Sequence, residues 1–304
     1  MTEWKPNLLD SLSQDIGREW PTIIKARKEA EAIRSKIREG LIEADERIIS
    51  SDSDVVVFGS VARNECTKGS DVDWTLLIDG QAFPEHQLIA QQIARRIEEK
   101  HLIQPAVEGI FGKMAFSHDI IHHIGGQRDS NHNTTQRILL LLESCPIRFN
   151  PLPESEYLDN QTTAYDRVVR GILYRYLIDD SSFISTEGIK SKVPRFLLND
   201  LVRFWRTMCV DFACKEWEQG GKKWALRNIK LRMSRKLIFV SGFLTMFSCY
   251  LNPALEIDKS QSSEPERVNS VLQHLTKYVN LTPPRDCHRD FGQGQLQRER
   301  GPTT

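Results

Sequence analysis

The 304-residue sequence lacks the features that mark several classes of protein. No apolar run approaches the roughly 20 residues that a membrane span needs, and residues 1–6 lack the apolar region of a secretory signal. The six cysteines form no Cys-x-x-Cys pair, which argues against a zinc site and against a disulfide framework. Scattered thiols without a secretory signal are typical of a reducing compartment, so we expect a cytoplasmic protein.

The sequence also has no excess of charge of one sign. Lys plus Arg (41) equals Asp plus Glu (41), so no global charge favours nucleic acid or a membrane surface as partner. This balance hides one local asymmetry, because the segment Lys190–Lys236 holds 13 basic and 4 acidic residues. The chain shows no internal repeat, and its length allows two domains.

The most informative stretch is 55–78, which combines a turn with two spaced carboxylates. The β-branched run Val55–Phe58 predicts a short buried strand. It ends at Gly59-Ser60, and glycine lets the backbone turn sharply and approach a phosphate. Asp71 and Asp73 open a second predicted strand that continues to Ile78, and alternation puts both carboxylates on one face. Neighbouring carboxylates repel each other unless a cation lies between them, which predicts bound Mg²⁺ or Mn²⁺.

A strand, Gly59-Ser60, Arg63-x-Glu65 and Ser70-Asp71-x-Asp73 follow each other in a fixed order. This pattern resembles the signature of the DNA polymerase β-like nucleotidyltransferase superfamily. It is similar to the minimal, PII-uridylyltransferase-like and oligonucleotide-synthesising branches. The resemblance implies that Asp71 and Asp73 bind the catalytic metals. It also implies nucleotide-binding roles for four residues of the pattern, Gly59, Ser60, Arg63 and Ser70.

The superfamily usually needs a third carboxylate, which binds the catalytic metal and can accept the proton of the acceptor hydroxyl. Glu108 lies in a predicted third strand with apolar neighbours, where the superfamily would place this acid. Asp119 is the alternative, and a chain that lacks a functional third acid would be a pseudo-enzyme. We favour Glu108 as the third catalytic and metal-binding residue.

The expected fold is of the α+β class, with a nucleotidyltransferase fold followed by an all-helical second domain. Residues 1–150 would form the catalytic domain, a small mixed sheet flanked by helices. Residues 151–282 would form the helical domain with a basic surface, and residues 283–304 a flexible tail. Helices are predicted from apolar spacing over the following ranges: 21–49, 81–100, 134–145, 162–178, 194–219, 222–250 and 265–280. Strands are predicted over 55–58, 72–78 and 103–111.

The basic segment suggests how the helical part contributes. On the helix at 222–250, an apolar face with three- and four-residue steps is predicted to be core. Helical second domains of such enzymes often supply a lysine to the triphosphate, and Lys230 and Arg235 are our choices for this nucleotide-binding role. The same charges could instead line a groove for a nucleic-acid acceptor, or form a solvated face with intramolecular partners.

Two other features have competing interpretations. His118 and His122 are four residues apart and could bind zinc, but no third ligand is evident, so we favour structural histidines. Trp74 is either a core residue or a wall of the nucleotide pocket, and core is the better prediction.

The sequence therefore predicts a metal-dependent nucleotidyltransferase that transfers a nucleotide from an NTP or dNTP and releases pyrophosphate. The expected acceptor is a nucleotide or nucleic acid, and an oligonucleotide-synthesising enzyme of antiphage defence is one form of this hypothesis. The alternatives are a protein-modifying adenylyl- or uridylyltransferase and a non-catalytic, antitoxin-like binding module. No membrane partner is expected, and the sequence leaves the oligomeric state open.

Overall fold

The computed structural model describes residues 13–42, 51–107, 109–147, 163–180, 193–252 and 264–279. Four strands alternate with helices over the first half. The strands are β1 (Ser53–Phe58), β2 (Trp74–Ile78), β3 (Lys113–Phe116) and β4 (Ser144–Pro146). The helices before residue 150 are α1 (Pro21–Ile42), α2 (Gly59–Ala62), α3 (Pro84–Glu99), α4 (Ser117–Ile121) and α5 (Asn131–Leu142). Those after it are α6 (Ala164–Asp179), α7 (Arg195–Glu218), α8 (Trp224–Ile229), α9 (Lys236–Leu251) and α10 (Glu264–Val279).

The four strands form one mixed sheet in the order β3-β2-β1-β4. Strand β1 pairs antiparallel with both β2 and β4, whereas β2 and β3 run parallel. Strand β1 includes the predicted range 55–58. Strand β2 ends at the predicted Ile78 but begins only at Trp74, so Asp71 and Asp73 precede this strand and do not open it as predicted. The mixed α/β fold with a helical remainder is thus confirmed.

Alternation along the strands divides the core between the two faces of the sheet. Val55 and Val57 belong to a cluster with Ile33 of α1 and Ile93 of α3. Val56 and Phe58 face the other way, into the cluster formed with the helices from α4 onward. Both strand faces are therefore buried, and only the strand ends are open for a functional site.

The larger cluster crosses the predicted domain boundary near residue 150. It joins Leu77 of the sheet and Leu140 of α5 with Ile172 of α6, Leu201 of α7 and Leu272 of α10. The helical part thus packs directly on the sheet. The division at residue 150 stays a prediction, and the predicted tail, 283–304, lies outside the described residues.

Three further predictions about individual elements are wrong. The third strand is Lys113–Phe116 and not 103–111, where the described residues form only the isolated bridge of Ile103. The apolar spacing over 81–100 also predicts Leu88 on the buried face of that helix, but Leu88 is exposed, whereas Ile89, Ala90 and Ile93 are buried.

The third correction concerns the helix predicted at 222–250. It is interrupted by a π-helical segment, Lys230–Arg235, between α8 and α9. Its predicted core face is exposed at Leu226, Ile229, Met233 and Leu237. Residues such as Ile238, Met246 and Cys249 face the core instead.

Within the described residues, no helix has both the length and the apolarity that crossing a membrane requires.

Candidate active site

The turn after β1 brings the backbone of Gly59 against the side chain of Asp73. Gly59 begins α2 with φ +62°, a left-handed conformation that glycine adopts without steric cost. A Cβ atom at this position would lie 2.8 Å from Oδ2 of Asp73. The predicted Gly-Ser turn and the predicted acid are therefore close together, and a side chain at position 59 would both strain the backbone and displace the Asp73 carboxylate.

Asp73 is fixed by the sheet, while Asp71 lies in the loop that leads into it. The carbonyl of Asp73 accepts a hydrogen bond of 2.8 Å from the amide of Phe58. Asp71 is exposed and forms an isolated parallel bridge with Ile103. A tight turn precedes it, in which Ser70 Oγ accepts a 3.0 Å hydrogen bond from the Thr67 amide. Strand β2 begins at Trp74, so both acids lie at its N-terminal end, beside the Gly59 turn.

The environment of Asp73 disfavours its charged form. Burial raises the pKa of Asp73 to about 7, and the negative charges of Asp71 and Glu143 add to this effect. Arg63 and Lys230 act in the opposite direction but do not cancel it. Asp73 is half-buried and faces two other carboxylates. A cation bound here would therefore lower the free energy of its charged form.

Glu143 is the site residue that the sequence analysis missed. It caps the C-terminus of α5, and the next residue, Ser144, pairs with Phe58 in the sheet. The Glu143 carboxylate accepts a hydrogen bond from Nη1 of Arg63. Burial raises its pKa despite the opposing charge of Arg63. No local motif marks this residue, because only the long-range pairing of β1 with β4 brings it to the turn.

Arg63 links this buried acid to the turn. Its Nε donates to Oε2 of Glu65 at 2.9 Å, and its side chain is only 12% exposed. Arg63 and Glu65 therefore form a local ion pair. Two carboxylates already bind the guanidinium, so a triphosphate would have to compete with them for its charge.

Lys230 and Arg235, chosen from the basic segment, both act on the site electrostatically. Lys230 lowers the pKa of Asp73, and Arg235 lowers that of Glu143, in each case against larger opposing effects. Arg235 also lies 3.7 Å from Oδ2 of Asp211. Both cations belong to the π-helical segment, a type of helix that often occurs at functional sites.

Ser60 lies in α2 next to the turn and is half-buried. Its Oγ is 3.7 Å from Sγ of the buried Cys66, which donates to it. The Ser60 carbonyl accepts from the amide of Glu65 at 2.9 Å. These contacts hold the short helix in place and leave the Ser60 hydroxyl hydrogen available to an acceptor such as a phosphate oxygen.

The structure describes one of the two acids considered as the third carboxylate. Glu108 lies outside the described residues. Asp119 follows β3, whose last residue, Phe116, pairs with Ile78 at the C-terminal end of β2. Asp73 precedes the other end of β2, so the two acids are separated by roughly 15 Å of strand. The topology therefore puts Asp119 away from the Gly59 turn.

Asp71 and Asp73 have the chemistry of a magnesium site that substrate completes. Mg²⁺ is commonly held by one or two carboxylates together with substrate phosphates and water. Within the described residues, no three or more His, Cys, Asp or Glu side chains form a group that could hold a metal ion. The oxygen donors of the two aspartates fit a divalent cation that arrives with a nucleotide.

The remaining predictions concern the histidines and Trp74. The rings of His118 and His122 are 5.3 Å apart, and Nδ1 of His123 lies 3.5 Å from Oδ1 of Asp119. The structural interpretation of these histidines stays a prediction. Trp74 is a core residue with 1% exposure, and its Nε1 donates to Oε1 of Gln104 at 3.3 Å.

Comparison with known proteins identifies the domain around this site. Residues 34–114 match the family model of the nucleotidyltransferase domain. This range includes β1, the Gly59 turn, Asp71, Asp73 and β2. No curated protein matches the chain. The chain thus carries a nucleotidyltransferase domain, and the helices after residue 114 lie beyond the match.

Proposed function

We propose that the chain transfers a nucleotide from an NTP or dNTP to a nucleotide or nucleic-acid acceptor, with Mg²⁺ or Mn²⁺ as cofactor. The observation that supports this most is the contact between the Gly59 turn and Asp73. It brings backbone amides that can bind phosphate within reach of carboxylates that can bind a metal. The nucleotidyltransferase domain at residues 34–114 gives the reaction class.

Each residue of the site has a proposed role in this reaction. Gly59 and Ser60 cradle the triphosphate, and Asp71 and Asp73 hold the cation, which would neutralise charge on the phosphates. Lys230 approaches the triphosphate from the helical part, as its effect on Asp73 suggests. Arg63 stays paired with Glu143 and fixes the end of α2. Ser70 and Arg235 remain proposed nucleotide-binding residues that support the Asp71 loop and the Glu143 pocket.

The transfer needs no reactant besides the nucleotide and the acceptor. The acceptor hydroxyl oxygen attacks the α-phosphorus, a new phosphorus–oxygen bond forms, and the bond to the β-phosphate oxygen breaks. Pyrophosphate leaves, and a carboxylate takes the hydroxyl proton. Glu108 remains our proposed proton acceptor, and Glu143 is the second acid to test.

The acceptor proposal rests on the turn between α7 and α8. Trp217 is 86% exposed and Trp224 is 46% exposed, with Lys222 and Lys223 between them. Exposed aromatic rings next to cations suit a single strand, whose bases stack and whose phosphates are neutralised. Trp224 is six residues from Lys230, roughly 9 Å along a helix, so such a strand would end near the site.

The experiment is incubation with each α-³²P-labelled NTP and dNTP in Mg²⁺ or Mn²⁺, with products resolved on a denaturing gel. A ladder or new small product, absent with Asp71→Asn and Asp73→Asn but present with Asp119→Asn, supports the proposal. Nuclease-sensitive product supports a nucleic-acid acceptor, whereas label on protein supports a protein-modifying enzyme. Comparing Glu108→Gln with Glu143→Gln identifies the proton acceptor.

A non-catalytic binding module is the second candidate. One observation favours it. The Glu143 carboxylate, which lies near enough to raise the pKa of Asp73, is paired with Arg63 and so is less available as a proton acceptor. A module of this kind would bind nucleotide in the same assay conditions, detected by a shift in melting temperature, without incorporating label.

A further inference from the structure

An exposed apolar stripe runs along α8, the π-helical segment and α9. It consists of Leu226, Ile229, Met233 and Leu237, which are 54%, 61%, 61% and 60% exposed. Their spacing of three and four residues was predicted to mark a core face, yet nothing in the described part of the chain covers them. Contiguous exposed apolar surface rimmed by polar residues marks interaction sites more often than chance.

The side chains of the stripe recur at helical spacing. Leu226 and Ile229 are three residues apart, and steps of four lead from Ile229 to Met233 and then to Leu237. Side chains three and four residues apart are neighbours on one helix face. The π-helical segment Lys230–Arg235 lies within this run.

The elements that carry the stripe have charges of one sign. Residues 219–252 contain seven basic residues and no acidic one, the seven being Lys222, Lys223, Arg227, Lys230, Arg232, Arg235 and Lys236. Arg235 is near Asp211, whereas no described carboxylate lies within ion-pair distance of Lys230 or Lys236. Lys230, Arg232 and Lys236 are exposed beside the apolar stripe. A ligand that covers the stripe must therefore bring negative charge.

We infer that the apolar stripe docks an amphipathic helix of a partner protein whose flanks are acidic. The aliphatic side chains at three- and four-residue steps match the spacing of anchors in a helix-in-groove interaction. Acidic flanks would meet the exposed lysines and raise the association rate.

Charge argues against the other occupants. A second copy of this chain would place the basic flanks against each other around a two-fold axis. Nucleic acid gains from aromatic rings, which the aliphatic stripe lacks.

The test uses the full chain and a fluorescein-labelled synthetic peptide of about 20 residues, which spans about 30 Å as a helix. The peptide carries leucines at helical spacing and glutamates on its other faces. A peptide of the same composition in scrambled order is its control. Binding is measured by fluorescence anisotropy, so this test does not depend on nucleotide transfer and fails or succeeds separately from the proposed function.

The variants are Met233→Glu and Ile229→Glu, with Leu88→Glu as the matched control because Leu88 is 59% exposed on α3. We expect the ordered peptide to bind, and each stripe variant to weaken binding about tenfold or more. The control Leu88→Glu should change the affinity for the ordered peptide by less than about twofold. Circular dichroism establishes that all variants are folded.

Four outcomes would overturn the inference. In the first, the ordered peptide binds no better than the scrambled one at any concentration. In the second, all three variants weaken its binding equally. In the third, a labelled oligouridylate or vesicles of phosphatidylserine bind in its place and lose affinity with the same two stripe variants. In the fourth, light scattering shows a dimer that Met233→Glu dissociates.

Discussion

At the scale of single residues, the site depends on the absence of a side chain at Gly59. Its backbone is left-handed, and a Cβ would approach Oδ2 of Asp73 to 2.8 Å. Gly69 in the same region has open space around it and no left-handed conformation. Comparing an alanine substitution at each glycine therefore distinguishes a general loss of backbone flexibility from a specific effect on the site.

We expect Gly59→Ala to lower the free energy of unfolding by about 1–2 kcal/mol from backbone strain alone. It should also reduce nucleotide transfer, because Asp73 must move. Gly69→Ala should leave both quantities close to those of the original protein. Urea unfolding and the labelled-nucleotide assay measure the two effects, and equal results for both variants would refute the argument.

The raised pKa of Asp73 makes stability depend on pH. Its pKa is about 7 in the folded protein and 3.8 as a model value. The protonated form therefore contributes stability that is complete below pH 3.8 and is lost as the pH rises through 7. Asp73→Asn removes this loss, because the amide cannot ionise.

We therefore expect the stability of Asp73→Asn relative to the original protein to increase as the pH is raised from about 5 to about 8. Mg²⁺ should raise the melting temperature of the original protein more at the higher pH, because it binds the ionised form. Asp119→Asn, at the other end of β2, is the control. A stability difference that does not change with pH would show that Asp73 titrates normally.

At the scale of elements, the π-helical segment connects the helical part with the aspartates. Lys230→Ala should weaken nucleotide binding about tenfold or more, since a charge-assisted hydrogen bond is lost. Lys25→Ala, on the exposed side of α1, should have no effect. The KM for the nucleotide is the measurement. An unchanged KM with Lys230→Ala would mean that the segment does not close over the triphosphate.

A buried ionic network fixes α5 against the helices around it. Arg137 is 0% exposed and donates to Asp129 at 2.9 Å, to Asp200 of α7 at 2.8 Å and to Tyr176 of α6 at 2.9 Å. Burial raises the pKa of Asp129, but the hydrogen bonds and charge of Arg137 outweigh this and lower it overall. The network thus favours the ionised form of the Asp129 carboxylate in a buried place.

Arg137→Met should lower the free energy of unfolding by about 3–5 kcal/mol, because it leaves buried carboxylates without their main partner. Arg95→Met removes an ion pair of 2.9 Å to Glu99 from an arginine that is 78% exposed, and should cost less than about 1 kcal/mol. Urea denaturation followed by circular dichroism compares them. Similar losses for both would contradict a special role for the network.

The elements also show why part of the site could not be predicted from sequence. The positions of Gly59, Asp71 and Asp73 follow from a strand, a turn and a second strand that are close along the chain. Glu143 is brought in only by the pairing of Ser144 with Phe58, which no local pattern encodes. The apolar steps around Met233 predict a helix correctly but do not say whether its face is covered.

At the scale of the whole molecule, the helical part and the sheet form one packed body around the strand ends. One cluster connects Leu77 of β2 with Leu201 of α7 and Leu272 of α10. The boundary predicted near residue 150 did not indicate such a shared core, because a division along the chain does not exclude packing in space. The shared core explains how Lys230 is brought to Asp73 although 157 positions separate them along the chain.

The most direct test of nucleotidyl transfer at this site is the rate of pyrophosphate release from NTPs and dNTPs in Mg²⁺ or Mn²⁺, with oligonucleotide added. We predict release by the original protein and by Asp119→Asn, and a rate reduced by roughly 100-fold or more in Asp71→Asn and Asp73→Asn. Release that is absent from the original protein, or unchanged in both site variants, would contradict catalysis by these aspartates.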